Sequence, residues 1–260
     1  PAIVGPRWEK DIDRQIEILS NVIAQSPDAI LLAASDFNRL VPLAEQAAAQ
    51  GITIVTLDSA LNSDAAVSFV ATDNVEAGQK AGREIDGLVE ENRPIAIVSH
   101  IPEVATAIDR EKGVRNALAH RDGRLILGTF YSENEPERAY NITQELVEKY
   151  PNLGGVVALN ENSTVGVGRA LKDLGVYDRI SLVGFDNSKE EIQFLEEGIV
   201  RALVVQRPFN MGYLGIRTVV EALRGRKVEP VIYTDSVLVR KDEIFTEENQ
   251  KLLFPIVESR

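Results

Sequence analysis

The sequence predicts an α/β fold built on parallel sheets. Short apolar runs alternate along almost the whole chain with amphipathic segments of helical length, the pattern of βαβ units. The apolar runs are continuous instead of alternating with polar residues, which is typical of strands buried on both faces of a sheet. No low-complexity linker interrupts the pattern.

Each predicted element follows from its own local pattern, in chain order. The first helix, residues 11–24, carries Ile12, Ile16 and Leu19 at helical spacing. Pro136 fits the first turn of a later helix, and Asn74 fits the cap of another. The predicted strands are 2–4, 29–34, 53–57, 67–71, 95–99, 125–130, 156–159, 180–183, 201–205 and 232–239. The predicted helices are 11–24, 38–50, 75–88, 106–119, 136–150, 163–174, 189–196 and 208–223.

The composition excludes several classes of function. The 260-residue chain has a formal net charge of −12, and an acidic surface repels phosphate backbones, so nucleic acid is not expected as a partner. The chain has no Cys, which excludes disulfides and thiolate chemistry and suits an exported protein. No apolar run reaches the length of a transmembrane helix, so direct membrane insertion is not expected.

Polar side chains follow four of the predicted strands. Asp186 comes directly after the strand over 180–183 and precedes a helix, and three other strand ends offer a carboxylate or an amide. These other groups are Asp58, Asn160 and Gln206. Ligands of open parallel sheets lie beyond the carboxyl ends of the strands. The four side chains therefore predict a site for a small polar ligand, although either Asp taken alone could instead cap the helix that follows it.

The sequence contains no recognisable catalytic set. Ser99 and His100 are neighbours on a strand, so their side chains point to opposite faces and cannot form a dyad there. The pair Gly166 and Gly168 lies inside a predicted helix and not after a strand, which excludes a dinucleotide loop. We therefore predict a binding protein without catalytic residues, cofactor or metal.

Six sequence blocks together resemble a known family. They include ATDNVEAGQKAG at 71–82, VVALNENSTVGVGRAL at 156–171, LVGFDNSKEEIQFLEEG at 182–198 and VVQRPFNMGYLG at 204–215. In order and spacing the chain is similar to the periplasmic sugar-binding proteins of the ribose-binding-protein type, the receptors of ABC transporters. The ligand-binding part of lac-repressor-type regulators shares their fold.

The resemblance implies a type I periplasmic binding protein fold, with two Rossmann-like lobes and a three-segment hinge. By position, residues 1–72 and 207–239 would form one lobe, and residues 73–206 and 240–260 the other. Family members begin with a strand and a helix before the segment that matches residues 1–6. We expect the full-length protein to contain such a preceding unit, and we expect residues 1–260 alone to bind sugar poorly and to associate.

The resemblance also implies roles for individual residues. Asp58, Asn160, Asp186 and Gln206 match positions that contact the sugar in such proteins. Phe185 matches a position where an aromatic ring lies beside the sugar, and Ile108 takes the place of an arginine of the ribose receptor. We therefore predict ligand contacts at all six positions.

The predicted function is a receptor that captures a small sugar or a similar polyhydroxylated ligand by closing two lobes around it. Its reader would be a membrane permease, or a sensor kinase or chemoreceptor. Its location would be periplasmic or extracellular, with an anchor possible through a segment outside this chain. The alternative is the effector-binding domain of a lac-repressor-type regulator, which would need a DNA-binding head before residue 1.

Overall fold

A computed structural model describes residues 2–119, 123 and 125–254. The chain divides into two compact units by its internal contacts. The first unit comprises Pro1–Asp73, Glu103–Ile108 and Arg207–Asp235, and the second comprises Asn74–Pro102, Asp109–Gln206 and Ser236–Arg260.

The secondary structure follows the predicted alternation of strands and helices closely. The strands are β1 (Ala29–Leu32), β2 (Thr53–Leu57), β3 (Ser68–Thr72), β4 (Ile95–Ser99), β5 (Ile126–Tyr131), β6 (Gly155–Ala158), β7 (Ser181–Phe185), β8 (Ala202–Val205), β9 (Val231–Thr234) and β10 (Val237–Arg240). The helices are α1 (Ile12–Ile23), α2 (Val41–Ala49), α3 (Asn74–Leu88), α4 (Ala105–Leu118), α5 (Pro136–Lys149), α6 (Glu161–Asp173), α7 (Lys189–Glu197), α8 (Pro208–Leu223) and α9 (Glu247–Leu253), with a short 3-10 helix at Lys241–Glu243.

The first unit is built on a four-stranded parallel sheet with the order β1-β2-β3-β9. Helices α1 and α2 cover one face, where Leu19, Ala44 and Ile54 belong to one buried cluster. Helix α8 packs on β1, β2 and β3, where Met211 joins Val55 in another cluster. This sheet therefore has its helices on two sides, as strands with continuous apolar runs require.

Within the described residues, the outer side of α8 is exposed and the sheet has an open edge. Strand β1 is an edge strand in the described part of the chain. The exposed apolar side chains of α8 recur at helical spacing and are Phe209, Tyr213, Ile216, Val220 and Leu223. We refer to these five side chains as the α8 stripe.

The second unit is built on a six-stranded sheet with the order β10-β8-β7-β6-β4-β5. All neighbours in it are parallel except β10, which runs antiparallel to β8. One buried cluster joins the sheet to α3 and α4 through Ala81 and Val114, and another joins it to α5, α6 and α7 through Leu146, Leu171 and Phe194. The sheet is thus a doubly covered layer, and the carboxyl ends of its parallel strands meet along one edge.

Two glycines allow α3 and α4 to approach closely. A Cβ atom added at Gly78 would lie 2.1 Å from the carbonyl oxygen of Arg110, and one added at Gly113 would lie 2.2 Å from the carbonyl oxygen of Val75. Larger residues at these positions would overlap with the backbone. This contact fixes the position of Arg110 relative to the strand ends.

The structure corrects two predictions about the elements. Residues 2–4 form no strand and are exposed. The single extended segment predicted over 232–239 is two strands, because β9 pairs with β3 in the first unit and β10 pairs with β8 in the second. By its internal contacts the chain leaves the first unit after residue 235, whereas the resemblance implied residue 239, and the lobe boundaries stay a prediction.

No helix in the described part of the chain is both long enough and apolar enough to cross a membrane.

Candidate binding site

Asp186 lies directly after β7, in the second unit. Its backbone is in the left-handed region, with φ of 76°, and its N–H donates to the carbonyl oxygen of Val204 at 3.0 Å. The carboxylate Oδ1 accepts a hydrogen bond from Nε2 of Gln206 at 2.6 Å, and Oδ2 accepts one from the backbone N–H of Glu161 at 3.0 Å. Two strand ends and the first turn of α6 therefore meet at this half-buried carboxylate.

Asn160 follows β6 and caps helix α6. Its Oδ1 accepts a hydrogen bond from the backbone N–H of Ser163 at 3.1 Å, and its Nδ2 donates to Oδ1 of Asn134 at 2.7 Å. Since Asp186 binds the backbone of Glu161, the next residue along, the side chains of Asn160, Asp186 and Gln206 belong to one group. The structure thus brings together three of the six predicted site residues at one edge of the sheet.

A second carboxyl group, Glu191, is buried behind Asp186. Its Oε2 accepts hydrogen bonds from the N–H and Oγ of Ser188, at 2.7 and 2.8 Å, in a capping box at the start of α7. Burial, and then the negative charge of Asp186, raise the pKa of Glu191 to about 9. Glu191 is therefore neutral at pH 7, and it adds no charge beside Asp186.

Arg110 also reaches this edge of the sheet, although the sequence did not identify it as a site residue. Its side chain is only 3% exposed. Nε donates to Oδ1 of Asn74 and Nη1 to the carbonyl oxygen of Leu159, both at 2.8 Å. The guanidinium carbon lies 4.7 Å from the centre of the Phe185 ring. Arg110 thus holds the residues that directly precede Asn160 and Asp186.

The same arginine affects a neighbouring histidine. Burial, and then the positive charge of Arg110, lower the pKa of His100 to about 3. His100 is 3% exposed and is therefore a neutral buried side chain at physiological pH.

Two of the six predicted site residues, Phe185 and Ile108, lie outside the group of Asn160, Asp186 and Gln206. Phe185 is completely buried in the cluster that contains Val183 and Val204, with Arg110 over its ring, and its contact with a ligand stays a prediction. Ile108 is 46% exposed, and the cation predicted to be lost at this position stands two residues later. The contact predicted at Ile108 stays a prediction, while Arg110 is the cation that the structure places at the strand ends next to Asn160 and Asp186.

Asp58 follows β2 in the first unit and repeats the geometry of Asp186. Its φ is 62°, and its N–H donates to the carbonyl oxygen of Val70, on the neighbouring strand β3, at 2.9 Å. Each unit therefore ends a central strand with a half-buried aspartate in the left-handed region. No group of three or more His, Cys, Asp and Glu side chains suited to a metal ion occurs within the described residues.

Comparison with known proteins identifies the family of the chain. A family model described as a periplasmic binding protein domain matches residues 7–227. The chain belongs to this family. The resemblance found in the sequence is confirmed, as is the α/β fold class with parallel sheets. A periplasmic location is what the family implies.

Individual relatives of this periplasmic binding protein include receptors of known structure. A ribose import binding protein of Bacillus subtilis (strain 168) is 25% identical over 225 residues, which cover 86% of this chain and 72% of that protein. An ABC transporter solute-binding protein from Agrobacterium vitis, solved with bound D-fucose, is 32% identical with a TM-score of 0.93, and covers 97% of this chain and 88% of its own. A carbohydrate transporter solute-binding protein from Agrobacterium radiobacter, solved with D-arabinose, is 30% identical with a TM-score of 0.90. The match covers 96% of this chain and 86% of that protein.

Proposed function

We propose that this periplasmic binding protein captures a small sugar, or a similar polyhydroxylated ligand, for import by an ABC transporter. The observation that carries the proposal is the group of Asn160, Asp186 and Gln206 at one edge of the second sheet. The relatives described above, named for ribose import or solved with D-fucose or D-arabinose, support the same class of ligand.

The chemistry of Asp186 suits a ligand with several hydroxyl groups. An ionised carboxylate has about four lone-pair sites, and in this structure hydrogen bonds from Gln206 and Glu161 engage one site on each oxygen. The sites that remain can accept hydrogen bonds from sugar hydroxyls. Hydrogen bonds to charged groups stabilise a complex by roughly 1.5–3 kcal/mol each.

Arg110 supplies donors that complement this acceptor. A guanidinium has five N–H groups, and the bonds to Asn74 and Leu159 engage two of them. We propose that a further N–H donates to a ring or hydroxyl oxygen of the sugar. The residues proposed to bind the ligand are thus Asp58 in the first unit and Arg110, Asn160, Asp186 and Gln206 in the second.

For the downstream partner we propose a membrane permease of the ABC type. A sensor kinase or chemoreceptor is the alternative reader of the liganded state. The function as an effector domain of a transcription regulator is less well supported, because the compared proteins are transport receptors.

Titration calorimetry of the full-length protein with D-ribose, D-arabinose and D-fucose tests the proposal. We expect at least one of these sugars to bind, and we expect Asp186→Ala to weaken its binding by roughly 1.5–3 kcal/mol, about tenfold or more. Asp242→Asn, which alters an exposed carboxylate on the short 3-10 helix, is the matched control and should bind like the wild type. Absence of binding by all three sugars would contradict the proposed ligand class, and unchanged affinity in Asp186→Ala would restrict Asp186 to a structural role.

A further inference from the structure

We propose that Asn134 is a positioning residue, which fixes the amide of Asn160 and thereby sets the choice among sugars. This inference rests on the proposed function, because it concerns the same site. Asn134 lies in the loop 132–135 between β5 and α5 and was not among the residues that the sequence indicated.

The loop that carries Asn134 is attached firmly to the strand ends. The backbone N–H of Ser132 donates to the carbonyl oxygen of Ser99 at 2.8 Å, and that of Glu133 donates to the carbonyl oxygen of His100 at 3.0 Å. Ser132 is completely buried, and its Oγ lies 3.0 Å from Oγ of Ser163 in the first turn of α6. The loop therefore has a fixed position relative to both β4 and α6.

The backbone of the loop is held in an unusual conformation. Glu133 and Asn134 are consecutive residues in the left-handed region, with φ of 53° and 60°. This region disfavours residues that carry a Cβ atom, although Asn tolerates it better than most. Such conformations persist only where the surrounding structure imposes them, and they concentrate at binding sites.

The side chain of Asn134 is an acceptor shared by two amides. Its Oδ1 accepts hydrogen bonds from Nδ2 of Asn160 at 2.7 Å and from Nδ2 of Asn162 at 2.9 Å. The main-chain oxygen of Asn134 accepts a third bond, from Nδ2 of Asn162 at 3.0 Å. Asn134 thus gathers two side chains from the start of α6.

These contacts leave only one orientation for the amide of Asn160. Its oxygen must face the N–H of Ser163, and its nitrogen must face Oδ1 of Asn134. A rotation of the amide by half a turn would bring oxygen against oxygen and N–H against N–H. The remaining N–H and lone pair of Asn160 consequently point in fixed directions, and they require a hydroxyl acceptor and a hydroxyl donor at fixed places on the ligand.

Fixed directions create selectivity between epimers. D-ribose and D-arabinose differ only in the configuration at one carbon, so a rigid amide matches the hydroxyl of one better than that of the other. A site that leaves a buried polar group unpaired with the wrong sugar rejects that sugar strongly. An amide free to rotate would accept both more equally.

Three variants test the inference, with titration of D-ribose and D-arabinose as the measurement. Asn134→Gly keeps the left-handed backbone but removes the acceptor. Asn134→Asp keeps both the acceptor and a residue type that tolerates this conformation. Glu133→Gly, in the adjacent left-handed position, removes an exposed side chain that pairs with Arg138 at 2.5 Å and leaves the amide of Asn134 in place.

We expect Asn134→Gly to lose affinity for the preferred sugar by roughly three- to tenfold, the equivalent of about one hydrogen bond, and to lose selectivity between the epimers. Asn134→Asp should restore the wild-type ratio of the two affinities, and Glu133→Gly should keep it. A purely structural role would lower both affinities equally, so an unchanged ratio in Asn134→Gly would overturn the inference. The inference would also be overturned if Asn134→Asp showed the same ratio of affinities for the two epimers as Asn134→Gly. If the wild type binds neither epimer nor D-fucose, the proposed function falls first and the inference falls with it.

Discussion

Asp58 and Asp186 hold the same unusual backbone conformation at equivalent places in two different units. Both follow a strand, both have positive φ, and both donate their N–H to the next strand of the sheet. The left-handed conformation costs a residue with a Cβ atom roughly 1–2 kcal/mol, which Asp and Asn partly avoid through local hydrogen bonds. The aspartates therefore combine a turn that the backbone needs with a carboxylate that we propose to bind the ligand.

This geometry predicts an unusual order of stability among substitutions at residue 186. Asp186→Ala and Asp186→Gly both remove the bonds to Gln206 and Glu161, but only Ala retains a Cβ atom. We expect the Gly variant to be more stable than the Ala variant by about 1 kcal/mol in urea unfolding, even though Gly increases the entropy of the unfolded chain. At Gln206, where the backbone is not in the left-handed region, the usual order with Ala above Gly should hold. An Ala variant as stable as Gly at residue 186 would show that the backbone is not strained.

The buried carboxyl group of Glu191 predicts how the stability of the protein depends on pH. Its pKa is about 9 in the folded protein and near the ordinary value of 4.5 in the unfolded chain. The unfolded chain therefore loses its proton first as the pH rises. The contribution of Glu191 to the free energy of unfolding is therefore fully present below pH 4.5. It decreases as the pH rises through neutral values, until the folded group ionises near pH 9.

Glu191→Gln should remove this pH dependence, because Gln imitates the neutral carboxyl group and can still accept from Ser188. We expect the variant to gain on the wild type with rising pH, by up to about 1.4 kcal/mol per pH unit between pH 5 and pH 8. Urea unfolding at several pH values measures this difference. The carboxylates of Asp186 and Glu161 face the same group and also contribute to its pKa, so Glu161→Gln, which leaves residue 191 unchanged, is the control that should retain the dependence. Parallel pH profiles of the wild type and Glu191→Gln would contradict the assignment.

At the residue scale, the sequence was sufficient to predict which polar residues follow the strands. It was not sufficient to predict the direction in which the side chains point. Asp186 follows a run of apolar residues, and such a position can be recognised without coordinates. Whether Phe185 points into the core depends on the register of β7, and the buried location of Arg110 depends on how closely α3 packs on α4. Neither property is encoded in a short window of sequence.

At the scale of elements, pairing decides what an apolar run becomes. The run over 232–239 contributes one strand to each of two sheets, with a break between Thr234 and Val237. Residues 2–4 have a similar composition but pair with no strand in the described part of the chain, and so they form none. A strand is defined by its neighbour, which the sequence of the strand alone does not specify.

The close contact between α3 and α4 predicts the effect of adding a single methyl group. Gly78→Ala would place a Cβ atom 2.1 Å from the carbonyl oxygen of Arg110, and we expect it to destabilise the protein by about 1–3 kcal/mol and to weaken sugar binding through Arg110. Gly87→Ala is the matched control, because it lies on the same helix with no atom within 4 Å of the added Cβ. The control should keep or raise the stability, since Ala favours a helix by about 1 kcal/mol over Gly. Equal effects of the two substitutions in thermal unfolding and calorimetry would disprove the role of the contact.

At the scale of the whole molecule, most of the exposed large apolar side chains among the described residues lie in the first unit. The α8 stripe presents five large apolar side chains, and β1 presents an unpaired edge within the described residues. Contiguous apolar patches and open strand edges both recruit other chains. We therefore expect residues 1–260, when prepared alone, to associate in a concentration-dependent manner.

Sedimentation velocity measures this association, and charged substitutions in the α8 stripe should reduce it. The double variant Tyr213→Lys and Ile216→Lys places two like charges one turn apart on the exposed side of α8. Phe245→Lys, which replaces a single exposed ring in the second unit, is the control and should not alter the association. A monomer at all concentrations, or equal association in all variants, would contradict the prediction.

The architecture of the whole chain was predictable because it depends on order and spacing. Alternating strands and helices, together with sequence blocks that match a family in sequence order, were sufficient for the fold class and for the family. The choice of sugar is harder to predict than the fold. It depends on contacts such as that between Asn134 and Asn160, which lie 26 residues apart in the chain. Selectivity depends on contacts between loops that are distant in sequence, and local sequence patterns do not predict such contacts.

The neutral carboxyl of Glu191 also affects the proton balance of the molecule. The formal net charge of −12 counts this group as ionised, so the folded protein at pH 7 carries one negative charge fewer on its account. Unfolding at pH 7 must then release that proton into the solvent. The calorimetric heat of unfolding should consequently include the ionisation heat of the buffer, and it should differ between phosphate and Tris in proportion to the net number of protons released, to which Glu191 contributes one.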